Sequence, residues 1–243
     1  MNTLVFTFDK TLNEKTKPAK YRQLLRFYTQ ALKRGQALGY NVEMYTNSDK
    51  FDNIADKVHW VDKDFHKYEF WDSFKFVPLK ERTDDYLLCD GDILFHERIN
   101  IDKVSDVLFD AWEIANWSLV YSEDINKLTE LGIKKVIPEW VNLRQHVMNC
   151  GILKFNDQEL KSTYIDRWDK FHSFCIEHRD ELNLKKCTAI GAQYLLTILC
   201  NYFNSTRSNY STTLRQANPF YVHYAGTAKF QGDITAMKEV SKI

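Results

Sequence analysis

The chain has 243 residues, 44% of them hydrophobic and 14% aromatic, enough for one large domain or two small ones with a sizeable core. Its 33 basic and 33 acidic residues balance, which excludes a global field for nucleic acid or an anionic membrane and leaves room only for local patches. The five cysteines (89, 150, 175, 187 and 200) are odd in number and form no C-x-x-C pair, so they read as reduced thiols of a cytoplasmic protein and speak against a zinc site or a disulfide framework.

The N-terminus enters an apolar run at once, and no stretch is long enough to span a bilayer, so neither a signal peptide nor membrane insertion is expected. Residues 3–8 predict a first strand and the polar stretch 9–17 a loop. Pro18 suits a first helical turn; Tyr21, Leu24, Leu25, Tyr28 and Leu32 follow at helical spacing, with Gly35 and Gly39 to end the helix. Residues 41–46 predict a second strand, ahead of a polar loop at 47–49, and 58–61 a third. Phe70, Trp71, Phe74 and Val77 fall at helical spacing, and 84–92 brings in a central strand. Val104, Val107, Leu108 and Ala111 mark a further helix, 118–121 the next strand, and 123–142 an irregular stretch. Residues 147–155 predict a strand interrupted by Asn149-Cys150-Gly151. Leu160, Tyr164, Trp168, Phe171 and Phe174 then mark one helix, and Ala189, Ala192, Leu195, Leu196 and Leu199 another. Residues 220–223 predict a short late strand before a polar tail from Gly226. Strands alternating with helices indicate an α/β fold whose sheet is covered on both faces.

Residues 84–95 read Asp-Asp-Tyr-Leu-Leu-Cys-Asp-Gly-Asp-Ile-Leu-Phe. A short apolar run ends in Asp90-Gly91-Asp92 and a second begins at once. Two carboxylates flanking a glycine offer hard oxygen ligands on a backbone that can turn sharply. Only Arg98 stands near enough in sequence to neutralise them. A divalent cation between them would remove their repulsion and leave coordination sites for phosphate oxygens. The competing explanation is an ordinary Asp-Gly hairpin turn.

The opening stretch Val5-Phe6-Thr7-Phe8-Asp9-Lys10-Thr11 resembles the first motif of haloacid-dehalogenase-type phosphatases, but their nucleophilic aspartate is Thr7 here, which cannot form the acyl-phosphate. Three separated signals instead resemble glycosyltransferases of the GT-A fold, especially the family-eight-like, glycogenin-like group. They are Asp90-x-Asp92 after a hydrophobic strand, Asn149-Cys150-Gly151 about sixty residues later, and His223-x-x-Gly226-x-x-Lys229 near the C-terminus.

That resemblance implies a Rossmann-like mixed sheet flanked by helices in a single domain. Residues 1–124 would bind nucleotide and metal, and 125–243 would form the acceptor half and closing tail. It implies Asp90, Asp92 and His223 as ligands of Mn²⁺ or Mg²⁺, Mn²⁺ tolerating mixed oxygen and imidazole ligation better. It implies contact of Asn149 and Gly151 with the donor sugar, of Thr7 and Phe8 with uracil and ribose, and of Gly226 and Lys229 with the pyrophosphate. Lys75, and Trp71 a turn before it, would flank the donor. The activity implied is hexosyl or pentosyl transfer from a nucleotide sugar, a UDP-sugar first of all. The acceptor is left open among a protein, a glycan precursor and a modified DNA base. For DNA the candidate basic patches are Lys134-Lys135 with Trp140 and Arg144, and Lys185-Lys186.

Two departures stand out. Phe230-Gln231 follows Lys229 where the family has Pro-Trp, and Ala192-Gln193 stands where it has Asp-Gln. With no acid at that place, Gln193 is expected to orient the donor and the anomeric configuration to be retained; Glu123 and Asp124 are the reserve candidates for a base. The alternatives are a metal-dependent phosphatase or phosphotransferase using the same carboxylates, and a non-catalytic nucleotide-binding protein.

Overall fold

The first strand is buried along its whole length, and the sheet grows outwards from it on both sides. The computed structural model describes residues 3–16, 21–62, 73–99, 105–113, 117–143, 146–213 and 221–223. In chain order the strands are β1 (Thr3–Phe8), β2 (Asn41–Thr46), β3 (Lys57–Trp60), β4 (Tyr86–Cys89), β5 (Ile93–Phe95), β6 (Val107–Glu113), β7 (Val147–Phe155), β8 (Arg207–Thr213) and β9 (Tyr221–His223). The helices are α1 (Lys10–Thr16), α2 (Tyr21–Ala37), α3 (Ser73–Glu81), α4 (Trp117–Glu130), α5 (Gln158–Glu177), α6 (Leu184–Ala189) and α7 (Leu195–Tyr202), with a π-turn at Ile190–Tyr194 joining the last two. Seven strands form one mixed sheet in the order β3-β2-β1-β4-β7-β6-β8, and β5 and β9 form a separate antiparallel ribbon. β3, β2, β1 and β4 pair in parallel, β7 is antiparallel to both β4 and β6, and β8 is parallel to β6.

Alternation along the strands divides the core between the two faces of this sheet. Leu4, Phe6 and Phe8 join Val42, Met44, Leu87 and Cys89 in a cluster with Leu24, Ala31 and Leu32 of α2 and with the β5 ribbon. Val5, Tyr45, Leu88, Phe109 and Leu153 join the opposite cluster, with Phe74 and Val77 of α3, Trp168 and Phe171 of α5, and Leu195 and Leu199 of α7. All nine residues of β7 are buried, as a central strand covered on both faces requires.

Helix ends follow local chemistry. The α2 C-terminus closes with Gly39 N–H to Gln36 O at 2.8 Å and Tyr40 N–H to Gly35 O at 3.1 Å, with Gly39 at φ +78°. Gly39 thus ends the helix as expected, but Gly35 lies inside it. A Cβ at Gly35 would stand 3.0 Å from both Leu4 Cδ1 and Val42 Cγ2, so its role is close packing on the sheet. Asp157 caps α5 by accepting from Glu159 N at 2.8 Å and Leu160 N at 3.0 Å.

Four expectations are corrected. Residues 107–113 form β6, not a helix, because a short apolar run fits either period and the open sheet edge beside β7 takes it as a strand. Residues 118–121 belong to α4, whose Ile125 and Leu128 continue the apolar face from Tyr121 at helical spacing. The same helix fills the first part of the stretch expected to be irregular. The polar stretch after β1 is not a loop but α1, whose first N–H, at Lys10, is held by Asn47 Oδ1 at 2.7 Å from the end of β2. β8 had no counterpart among the expected strands. Pro18, Phe70, Trp71 and Val104 lie outside the described residues. The boundary expected at residue 124 runs through α4, and β6 from the first half lies between β7 and β8 from the second.

Candidate active site

The ladder between β4 and β7 continues one step beyond Cys89, with Asp90 N–H donating to Gly151 O at 2.7 Å. This step sets the acidic motif beside Asn149-Cys150-Gly151. The chain then turns, with Ile93 N–H to Asp90 O at 3.2 Å, and enters β5. There β9 pairs with it in the register Ile93↔His223. His223 Nε2 consequently lies 3.5 Å from Asp92 Oδ1. One ligand atom from each of Asp90, Asp92 and His223 falls within 4.8 Å of the others. Two carboxylates and an imidazole converging in this way are a donor set that suits a divalent cation.

Two glycines make the convergence possible, through space rather than backbone freedom. Gly91 does not adopt the left-handed conformation expected of a sharp turn. A Cβ on it would stand 2.2 Å from Tyr28 Cε1, because the α2 tyrosine packs directly against the motif. At Gly151 a Cβ would stand 2.5 Å from His223 Cε1, so the absence of a side chain on β7 is what admits the ring.

Charge in the site is acidic in surplus. Burial and the Asp92 charge push the Asp90 carboxyl above its ordinary range, against the opposing pull of Lys75 and His223. Lys75 Nζ lies 2.7 Å from Asp90 Oδ1 and donates to Cys150 O at 3.4 Å. It takes the neutralising role that sequence proximity offered to Arg98, whose guanidinium instead lies over the Tyr40 ring at 5.1 Å. Burial alone would lower the His223 imidazole, but hydrogen bonds to Asp110 and Asp92 raise it to about 10. Burial also drives the Tyr28 phenol upwards, and Asp90 and Asp92 add to the effect.

Asp110 is the residue that sequence reasoning missed. It is 1% exposed on β6, its Oδ2 accepting from His223 Nδ1 and its Oδ1 from the Tyr221 hydroxyl. The signal was present as a lone acid inside the apolar run from Val107 to Trp112, where an unpartnered charge would be costly.

The remaining expected residues fall around this cluster. Asn149 is buried, donating from Nδ2 to Glu113 Oε1 at 2.5 Å and accepting from Gly151 N at 2.8 Å. Gln193 is half-buried in the π-turn. That turn is tied to the same strand: Ala192 O accepts from Cys150 Sγ at 3.3 Å and from the Tyr164 hydroxyl at 2.7 Å. Thr197 Oγ1 links Gln193 O at 2.8 Å to Met148 N at 3.0 Å. Thr7 and Phe8 are buried at the end of β1, and the Phe8 ring packs edge-on against Tyr28 and Phe51, with centroids 4.8 and 5.2 Å away. Gly226 and Lys229 lie outside the described residues.

Away from the cluster, Trp140 is 2% exposed with Nε1 donating to Thr129 Oγ1, so it gives no stacking surface beside Lys134 and Lys135. Arg144 lies outside the described residues. Lys186 pairs with Asp124 at 2.9 Å, joining one of the basic candidates to one of the reserve bases. Among the described residues no helix is long and apolar enough to cross a membrane.

No family model and no curated protein matches the sequence. Solved structures do match. An active-site mutant of LgtC is similar at TM-score 0.53 and 12% identity, over 99% of this chain and 95% of that one. The glycosyltransferase GlyE of Streptococcus pneumoniae TIGR4 gives TM-score 0.43 at 11% identity over 87% of this chain, which spans 46% of GlyE. Mouse xyloside xylosyltransferase 1 gives 0.45 at 10% identity, over 86% of this chain and 85% of its own. The likeness to LgtC, running over nearly the whole of both chains, establishes the GT-A glycosyltransferase fold.

Proposed function

We propose that this chain, having the fold of GT-A glycosyltransferases, transfers a sugar from a nucleotide sugar, in the first instance a UDP-sugar, to an acceptor. The observation that carries the proposal is the convergence of Asp90, Asp92 and His223 at the end of the central strand, beside Asn149 and Gly151. These three side chains would hold Mn²⁺, or Mg²⁺. A divalent cation held there would supply compensation for the negative charge that grows on the departing nucleoside diphosphate.

The chain's own residues have distinct tasks. Thr7 and Phe8 would bind the nucleoside at the end of β1. Asn149, Gly151 and Lys75 would meet the donor beside the acidic motif. Gly226 and Lys229 belong to a tail that would close over the diphosphate, with the Lys229 ammonium stabilising the leaving group. Gln193 would orient the sugar through its amide. An amide is no base at neutral pH, so the acceptor proton is assigned to the departing phosphate oxygen, with retention at the anomeric carbon. The acceptor is proposed to be a glycan precursor or a protein rather than DNA, since burial of Trp140 deprives the basic patch at Lys134-Lys135 of its aromatic platform. The proposed setting is the cytoplasm.

The test is a thermal-shift screen of UDP and UDP-sugars with Mn²⁺ and with chelator. A ligand at about a hundred times its dissociation constant should add roughly 2.7 kcal/mol in the presence of Mn²⁺ alone. Equal shifts in chelator would refute the metal assignment, and no shift with any nucleotide sugar would refute the activity. Proton NMR of the product before mutarotation decides the stereochemistry: a configuration opposite to the donor's would mean a carboxylate base.

A further inference from the structure

We infer that Asp110 is a positioning residue that presents the Nε2 atom of His223 to the metal, an inference that rests on the metal assignment above. The geometry holds the imidazole on three sides. Nδ1 is bonded to Asp110 Oδ2 on β6, Cε1 faces the bare backbone of Gly151 on β7, and Nε2 points to Asp92 at 3.5 Å. Turning the ring over would set a carbon against the Asp110 carboxylate and lose that hydrogen bond. A carboxylate that accepts the Nδ1 proton leaves Nε2 as the nitrogen for a cation, which is how histidine ligands of metals are commonly fixed.

The local sheet is shaped for this arrangement. The β6–β7 register passes from Phe109↔Leu153 to Ala111↔Asn149, so the single residue Asp110 spans the interval that Cys150, Gly151 and Ile152 occupy on β7. The irregularity sets the Asp110 carboxylate within reach of the ribbon while Gly151 clears space for the ring. Tyr221, two residues before His223 on β9, donates its hydroxyl to the other oxygen of Asp110. Both oxygens are thereby committed, one to aim the imidazole and one to stop the carboxylate rotating. A carboxylate introduced for stability alone is a poor choice at 1% exposure, because desolvation of the charge offsets much of what its partners return.

The test measures Mn²⁺ affinity directly, by electron paramagnetic resonance titration in the presence of UDP, for wild type, Asp110→Asn and Tyr221→Phe. Asp110→Asn should bind Mn²⁺ about 10- to 100-fold more weakly, and Tyr221→Phe should be weakened less, in the same direction. The affinity for UDP in chelator should stay unchanged in both. A second measurement uses wild type only and needs no variant to fold: ¹⁵N spectra of histidine-labelled protein loaded with Cd²⁺ and UDP. His223 should show a metal-bound Nε2 and a protonated Nδ1. Undiminished Mn²⁺ affinity in Asp110→Asn, or Cd²⁺ on Nδ1, would overturn the inference while leaving the metal site standing. Failure of wild type to bind Mn²⁺ would remove the metal site and this inference together.

Discussion

Glu43 on β2 and Asp90 after β4 are both acids lodged beside parallel strands with a histidine and a long cation in reach, yet they end in opposite states. Glu43 accepts from Arg82, from His59 Nε2 at 2.7 Å and from Asn41 Nδ2 at 2.9 Å, so one carboxylate has three donors. Burial raises its carboxyl, but the bonds from Arg82 and His59 outweigh that and hold it below the usual range. Around Asp90 the proportion is reversed: Asp90, Asp92 and Asp110 share Lys75 and His223, and the Asp90 carboxyl is pushed up. The first cluster is closed and can only stabilise. The second gathers three carboxylates about one lysine and one histidine, a surplus of negative charge that favours a further cation.

The contrast predicts different consequences for similar substitutions. The largest loss of fold stability should come from Arg82→Ala, which leaves Glu43 buried without its guanidinium and should cost about 3 kcal/mol; urea denaturation measures it, and nucleotide binding at saturating Mn²⁺ should be unchanged. Asp92→Asn should do the reverse. It should abolish the roughly 2.7 kcal/mol of Mn²⁺-dependent stabilisation by UDP while leaving the metal-free protein as stable as wild type, since a repulsive charge is removed. A large drop in metal-free stability would mean that this cluster, too, is structural. Gly151→Ala sharpens the comparison by moving no charge: its Cβ would press on His223 Cε1. An overpacking cost of about 1–3 kcal/mol is expected, with weaker Mn²⁺ binding as the feature that separates it from a simple core defect.

The smallest effect concerns pH. The Glu43 carboxyl is lowered on folding, so its contribution is fully present above its ordinary value of 4.5 and disappears as pH falls through the lower folded value. Stability measured below pH 4.5 should therefore fall less steeply in Glu43→Gln than in wild type. Parallel slopes would mean that other acids govern acid unfolding.

What the sequence disclosed depended on whether the signal was local. β1, β2, β4 and β7 and helices α2 and α5 announce themselves through apolar runs or helical spacing that their final burial matches. β8, Arg-Ser-Asn-Tyr-Ser-Thr-Thr at the sheet edge, has no such run, because an edge strand needs backbone pairing more than buried side chains. The meeting of Asp90 and Asp92 with His223 was legible only through the resemblance of separated motifs. The Asp110–His223 bond joins residues 113 apart and has no local trace beyond one acid in an apolar strand. The Lys75–Asp90 pair was hidden for a related reason, since α3 and the end of β4 approach only in the folded sheet.

The π-turn at Ile190–Tyr194, closed by Leu195 N–H to Ile190 O, amounts to one residue more than an α-helix would hold over the same rise. That surplus changes the angular phase of the helix. α6 and α7 therefore do not share one repeat across the turn: Leu195–Cys200 of α7 are buried throughout, while Gln193 within the turn is half-buried. The turn itself is secured by Tyr164 and Cys150, which donate to the Ala192 carbonyl. Removing any single residue from the turn would restore the uninterrupted repeat and swing one half of the helix by about 100° relative to the other. Chain length over this short interval therefore sets the phase between the two helical halves as firmly as the identity of any residue within it.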